Sequence, residues 1–293
     1  MLVLTTAQML RVRVQCDPAH MIRPRLLADG NLGVSEQVLV DPAHLRVRSA
    51  LEEGTVTASP GAFSARPWEE LGTIDGKTIV LYADDKKWSL QPTATGHRFE
   101  LRQGDVGLST DTGNQRDEIS APYNTVAGGV DVWQSWTTEI SESAGFEAIL
   151  HPSLQNFGFV SQWHGLDTVA TGGRSPVLAF DYGNNAFRIV TRSDTDGPSV
   201  EKVRFSDVLP IGPVSYVCRL VLGQAGELQV WRNGAEIVSF AGPIGYYNDG
   251  TDLAYLQWGI YRRASELPAA VTTSNMRWGL TDLSDKILNP DPM

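Results

Sequence analysis

Glu227-Leu228-Gln229-Val230-Trp231-Arg232-Asn233-Gly234-Ala235-Glu236-Ile237-Val238-Ser239-Phe240 is the stretch that decides the fold class. Asn-Gly supplies the positive φ that a two-residue type I′ hairpin requires, and it lies between two runs rich in β-branched and aromatic residues. Working outward, similar runs recur: Thr78–Tyr82, Val130–Trp136, Phe146–Leu150, Phe157–Val160, Val177–Phe180, Phe187–Val190, Val214–Leu222 and Tyr255–Trp258. Turn residues separate them, and no long helical period intervenes. Short strands at such spacing predict an antiparallel sandwich or barrel. About a dozen of them from Gly76 onward fit a mostly β chain, an antiparallel two-sheet jelly roll.

Composition narrows the function classes. The 293 residues include 28 Gly, 16 Pro, 8 Trp, 8 Tyr and 9 Phe, which suits tight turns and half-buried strands. A net charge of −10 argues against a nucleic-acid partner, because a phosphate backbone selects basic surfaces. Two cysteines, Cys16 and Cys218, make neither a disulfide framework nor a thiolate metal site. Cys218 falls mid-strand, as a small core residue would. No stretch approaches the roughly 20 apolar residues of a membrane span, so membrane insertion is not expected. The N-terminus, Met1-Leu-Val-Leu-Thr-Thr-Ala, has neither the basic start nor the apolar run of a signal peptide. Thr5 or Thr6 is placed to cap a short helix running toward Cys16.

The first 70 or so residues read differently. Asp17-Pro18-Ala19-His20-Met21 is echoed by Asp41-Pro42-Ala43-His44-Leu45. Asp followed by Pro starts helices and turns, and that reading is preferred to a two-histidine metal site. Glu52-Glu53-Gly54 through Ser59-Pro60-Gly61 looks like a connector. The expected division is therefore 1–74, a small N-terminal module, and 75–293, the jelly roll.

Three segments carry polar residues that an inert sandwich would not need. In His97-Arg98-Phe99-Glu100-Leu101-Arg102, strand alternation sets Arg98, Glu100 and Arg102 on one face and Phe99 and Leu101 on the other. In Ser161-Gln162-Trp163-His164-Gly165, Gln162 and His164 share a face and Trp163 takes the opposite one. In Tyr255-Leu256-Gln257-Trp258-Gly259-Ile260-Tyr261-Arg262, the residues Tyr255, Gln257, Gly259 and Tyr261 share a face. Gly259 leaves room where a ligand lies close to the backbone.

Taken together, and in this order, the segments resemble the signature strands of jelly-roll polysaccharide lyases with a concanavalin A-like fold. Arg-x-Glu-Leu-Arg, Gln-x-His and Tyr-x-x-x-Gly-x-Tyr resemble alginate lyases. Gln-Trp-His-Gly followed by Gly-Ile-Tyr-Arg is similar to glucuronan and heparin lyases. The resemblance covers about residues 75–285. It implies that Arg98 and Gln162 bind a uronate carboxylate, that His164 or Tyr261 is the base, and that Tyr261 is the acid. It further implies glycan contacts by Glu100, Arg102, Trp163, Tyr255, Gln257 and Arg262, with no cofactor. Gln257 stands where alginate lyases carry lysine, which removes a positive charge from an anionic sugar's path.

Plainer roles compete for the same residues. Arg98, Glu100 and Arg102 also make a self-contained ion-paired face, His164 a hydrogen-bonded strand-end histidine, and Tyr255 and Tyr261 ordinary strand aromatics. Trp133, Trp136 and Trp258 are suited to sugar stacking or to the core. Asp194-Thr195-Asp196-Gly197 and Asn184-Asn185 read as turns, not calcium loops.

The expected function is recognition of an extracellular, capsular acidic polysaccharide. A chain without an export signal meets such a glycan on the surface of a phage or phage-like gene-transfer particle. In that case the jelly roll is the spike, and the N-terminal module docks to other particle proteins, with homo-oligomers expected. The alternative is an active lyase cleaving a uronic-acid polymer by β-elimination. A cytoplasmic enzyme for imported oligosaccharides, or a secreted one whose signal has been removed, are the alternatives for location.

Overall fold

In the computed structural model Asn233 and Gly234 both take positive φ, 49° and 83°, and close the hairpin as a type I′ turn. The structure describes residues 25–26, 32–33, 54–56, 70–74, 77–83, 86–94, 96–106, 113–120, 126–147, 157–165, 174–183, 186–196, 200–247 and 253–288. By contact the chain divides between Glu52 and Glu53. Thr5, Thr6 and the two Asp-Pro-Ala-His segments lie outside the described residues.

In the first unit β1 (Arg25–Leu26) pairs with β2 (Leu32–Gly33). The second opens with β3 (Gly54–Val56), β4 (Glu70–Ile74), β5 (Lys77–Tyr82), β6 (Gln91–Pro92) and β7 (Gly96–Leu101). There follow β8 (Asn114–Ser120), β9 (Asp131–Glu142), a helical turn α1 (Ala144–Glu147), β10 (Gly158–Gly165) and β11 (Pro176–Gly183). Next are β12 (Ala186–Arg192), β13 (Glu201–Val208), β14 (Val214–Val221) and β15 (Gly223–Arg232). The chain finishes with β16 (Ala235–Ile244), β17 (Ala254–Arg263), β18 (Ala269–Gly279) and a second helical turn, α2 (Asp285–Leu288).

Two antiparallel sheets result. The first runs β13-β12-β11-β10-β17-β8-β5-β4, and the second β16-β15-β14-β9-β18-β7-β6 with β3 on β18. This is the expected two-sheet sandwich. Its sheets reach back beyond the expected boundary at residues 74 and 75, since β3 pairs with Met276–Trp278 and β4 pairs with β5.

One expected strand is different. Phe146 sits in α1, where the backbone N–H groups of Phe146 and Glu147 donate to Ser143 O and the Ser143 hydroxyl donates to Glu147 Oε1 at 2.6 Å. Local capping at Ser143 outweighs the apolar run there.

Inward residues of the two sheets make the core. Trp136 meets Phe180 edge-on at 4.7 Å and stacks on Tyr216 at 5.0 Å, and Trp258 meets Trp278 at 5.2 Å. Burying each such ring contributes roughly 1.5–3 kcal/mol. Cys218 is buried among them, and burial pushes its thiol pKa up. From the second sheet, Gln134 crosses the interior: its amide donates to Ser161 Oγ at 2.8 Å, and its carbonyl accepts from Trp163 Nε1 at 3.0 Å. Ser161 and Trp163 therefore point inward, and alternation turns Gln162 and His164 to the outward face of the first sheet. No described helix is long and apolar enough to cross a membrane.

Candidate functional site

Three adjacent strands, β10, β17 and β8, assemble the candidate site on that outward face. Register brings Gln162 opposite Gln257, His164 opposite Tyr255, and Phe159 opposite Tyr261. On the other side of β17, Tyr261 stands opposite Arg116 and Gln257 opposite Ser120. A bulge between these pairings is taken up at Gly259, whose φ is +133°. A Cβ there would lie 2.2 Å from Asp117 O and 2.7 Å from Glu118 Cα, so only glycine fits. Gly259 thus serves strand packing against β8.

A continuous polar chain runs through the site. The Arg116 guanidinium lies 3.7 Å from the Tyr261 ring centre and donates to Glu118 Oε2 at 3.1 Å. Glu118 Oε1 accepts from Gln162 Nε2 at 2.6 Å. The Tyr261 hydroxyl accepts from the Asn114 amide at 2.9 Å. Gln162, Gln257 and Glu118 are fully buried. Gln162 Oε1 and both polar atoms of Gln257 have no hydrogen-bond partner. Buried amides in native proteins are ordinarily satisfied, so three orphaned atoms on one pair leave hydrogen-bonding capacity unused at this point of the sheet.

At the far end of the row, the His164 and Tyr255 rings are 5.3 Å apart. His164 Nδ1 lies 2.8 Å from Gly165 O. A carbonyl only accepts, so Nδ1 carries the proton and Nε2 of the neutral ring has the lone pair. Gln162 and His164 are two residues apart on one strand face, about 7 Å, a span that one sugar ring bridges.

Next to this site, β11, β12 and β13 carry a second polar group on the same sheet. Arg188 pairs with Asp181 at 2.5 Å and Glu201 at 2.9 Å, and Arg192 pairs with Glu201 at 2.8 Å. Between the two lies a row of small apolar side chains, because Gln162 stands opposite Ala179 and Ala179 opposite Val190.

Of the residues expected from sequence, the structure brings together Gln162, His164, Tyr255, Gln257 and Tyr261. It places the other five elsewhere. Arg98, Glu100 and Arg102 belong to the second sheet, turned away from the interior that Phe99 and Leu101 fill. There Glu100 accepts from Arg98 and from Arg102 Nε, the latter at 2.6 Å, a self-contained ion-paired face. Burial pushes the Glu100 carboxyl up, but the hydrogen bonds and charges of Arg102 and Arg98 outweigh that and hold it below its usual range. Trp163 is buried between the sheets on Gln134. Arg262 is also interior, donating to Gln115 Oε1 at 3.0 Å and Leu267 O at 2.6 Å.

The arginine and glutamate missed from sequence are Arg116 and Glu118, in Asn114-Gln115-Arg116-Asp117-Glu118-Ile119-Ser120. The same Arg-x-Glu-apolar spacing occurs there as in Arg98–Leu101, and only sheet order tells the two apart.

Comparison with known proteins agrees at the level of the fold. Neither a protein-family model nor a curated protein sequence matches the chain. Among solved structures, it is similar to endo-β-1,4-glucuronan lyase from the fungus Trichoderma reesei, with TM-score 0.50 and 11% identity over 78% of this chain and 94% of that one. An alginate lyase from Pseudomonas aeruginosa aligns with TM-score 0.44 and 20% identity, over 66% of this chain and 86% of that one. A family 7 alginate lyase aligns at 0.48 and 12%, over 67% and 84%. The chain thus has the jelly-roll fold found in polysaccharide lyases.

Proposed function

We propose that this chain is a polysaccharide lyase that cleaves a hexuronate-containing polymer by β-elimination on the outward face of the first sheet. The observation that carries the reading is the buried Gln162–Gln257 pair, with three unpartnered polar atoms, beside a histidine whose Nδ1 is held on Gly165 O, which leaves the lone pair on Nε2 when the ring is neutral. In the reaction His164 Nε2 takes the proton from C5. The C5–H electron pair becomes the C4=C5 double bond, the C4–O bond breaks, and its electrons leave on O4, which takes a proton from a tyrosine hydroxyl. The carboxyl group on C5 lies in the carboxamide cradle, where an N–H of Gln257 supports the oxygen that gains negative charge.

The hydroxyl nearest to His164 by register belongs to Tyr255. Tyr261 stands five positions along β10 from His164, about 16 Å of strand. Tyr255 is therefore assigned as the acid, and Tyr261, braced by Asn114 and Arg116, as a sugar-holding ring. Incubation with polyuronates should yield unsaturated ends absorbing in the ultraviolet, and His164→Ala should abolish that absorbance while leaving binding nearly intact. An unchanged rate in His164→Ala would remove the histidine from the mechanism.

A second reading, polysaccharide binding without turnover on a particle spike, is favoured by one feature. The charge of Arg116 is matched by Glu118, which weakens its support of a carbanion. Glycan binding without any ultraviolet product would select that reading. Docking through the N-terminal module is tested with a chain starting at Glu53, which keeps both sheets. It should bind glycan and fail to join a particle.

A further inference from the structure

The carboxamide cradle has a charge environment that discriminates between forms of the same sugar. Gln162 and Gln257 are neutral, and among the described residues the ionic group hydrogen-bonded to the pair is Glu118, at 2.6 Å and fully buried. Arg116 is turned onto Glu118 and the Tyr261 ring. The arginines of the neighbouring group, Arg188 and Arg192, face Asp181 and Glu201 in the same way. A free carboxylate placed against the two amides would be buried beside a carboxylate, with its charge unpaired. Burying an ion without a partner is strongly unfavourable, and a like charge at close range adds to the cost.

An ester of the same sugar has no such cost. Its carbonyl accepts from the Gln257 N–H group, and the two amide carbonyls accept from sugar hydroxyls. Its alkyl group would lie toward the apolar cluster of Ala179, Val190 and Phe159, which begins next in the row after Gln162. Esterification also makes the C5 proton more acidic, since the adjacent carbonyl no longer carries a full charge, and so lessens the need for a cation in the site.

We infer that the polymer reaches this site with its hexuronate carboxyl esterified, so that the substrate class is an esterified polyuronate. This rests on the lyase reading above and specifies its substrate.

The test uses the full chain with polygalacturonan, alginate and glucuronan, each as the free acid and as the methyl ester. Unsaturated ends are followed in the ultraviolet and binding by calorimetry. At least one ester should exceed its free acid by about tenfold or more in kcat/KM, equivalent to ~1.4 kcal/mol. Gln257→Lys should shift that ratio toward the free acid by a similar factor. Cleavage of free acids at equal or greater rates, or an unchanged ratio in Gln257→Lys, overturns the inference and leaves the lyase reading standing. If neither form yields product, the lyase reading falls and calorimetry decides the inference. Tighter binding of an ester upholds it; equal binding, tighter binding of the acid or no binding overturns it.

Discussion

Gln162 and Gln257 stand directly opposite each other on adjacent strands, and of their four amide polar atoms only Gln162 Nε2 has a partner. The two glutamines are equally buried but have opposite relations to the fold. Gln162 satisfies a neighbour, whereas Gln257 satisfies none.

Substitution by leucine should therefore separate them. Gln257→Leu removes two orphaned polar atoms and should raise stability by about 1 kcal/mol while eliminating glycan binding. Gln162→Leu leaves Glu118 Oε1 without its donor and should lower stability by about 1–3 kcal/mol. Denaturant unfolding of both variants checks the contrast, which fails if the two shift in the same direction.

Glu118 is the hinge of the polar chain. Glu118→Gln keeps the shape but removes the carboxylate to which the almost fully buried Arg116 guanidinium donates. A broken buried pair costs about 3–5 kcal/mol, so the variant should unfold at clearly lower denaturant. Replacing both, with Arg116→Met and Glu118→Leu together, should recover much of that loss.

The two tyrosines should divide kcat from KM. Tyr255→Phe removes the hydroxyl beside His164 and should lower kcat on the order of 100-fold or more with little change in KM. Tyr261→Phe loses the Asn114 hydrogen bond but keeps the ring on Arg116, so KM should rise more than kcat falls. Collapse of kcat in Tyr261→Phe instead would transfer the acid role to Tyr261.

Two interior groups should oppose each other in pH dependence. Burial pushes Asp117 up to about 7, although backbone N–H groups of Leu90 and Glu100 hold its Oδ2. An acid with a raised folded pKa contributes stability below its unfolded value, lost as pH rises from about 4 to about 7. Burial lowers His97 to about 4, so its contribution is present above 6.5 and is lost as pH falls toward 4. Asp117→Asn keeps an acceptor and removes the titration. Its stability relative to the parent should thus climb steadily between pH 4 and 7, read by thermal melts across that range. A constant difference would mean that Asp117 does not titrate there.

The fold was legible because Asn233-Gly234 and the β-branched runs act locally, through φ preference and alternation. Gln162, His164, Tyr255, Gln257 and Tyr261 were legible for the same reason, since two strands with the right period needed only to pair. The arginine was not. Arg98 and Arg116 occupy nearly identical local patterns, and the choice between them depends on β8, not β7, lying beside β17. Strand order is a long-range outcome that no local spacing records. Trp163 and Arg262 were misassigned because an aromatic or a cation reads as a ligand contact until the opposite sheet supplies its partner, here Gln134 and Gln115.

Gln134 has a mechanical consequence. It grips Ser161 and Trp163, the two inward residues on either side of Gln162. A taut polymer dragging on the outward residues of β10 would load that strand along its length. Slippage by one residue would rupture both bonds to Gln134 at once and turn Gln162 and His164 inward. The rear sheet thus acts as a clamp, holding the working strand in phase while a long chain is pulled across it.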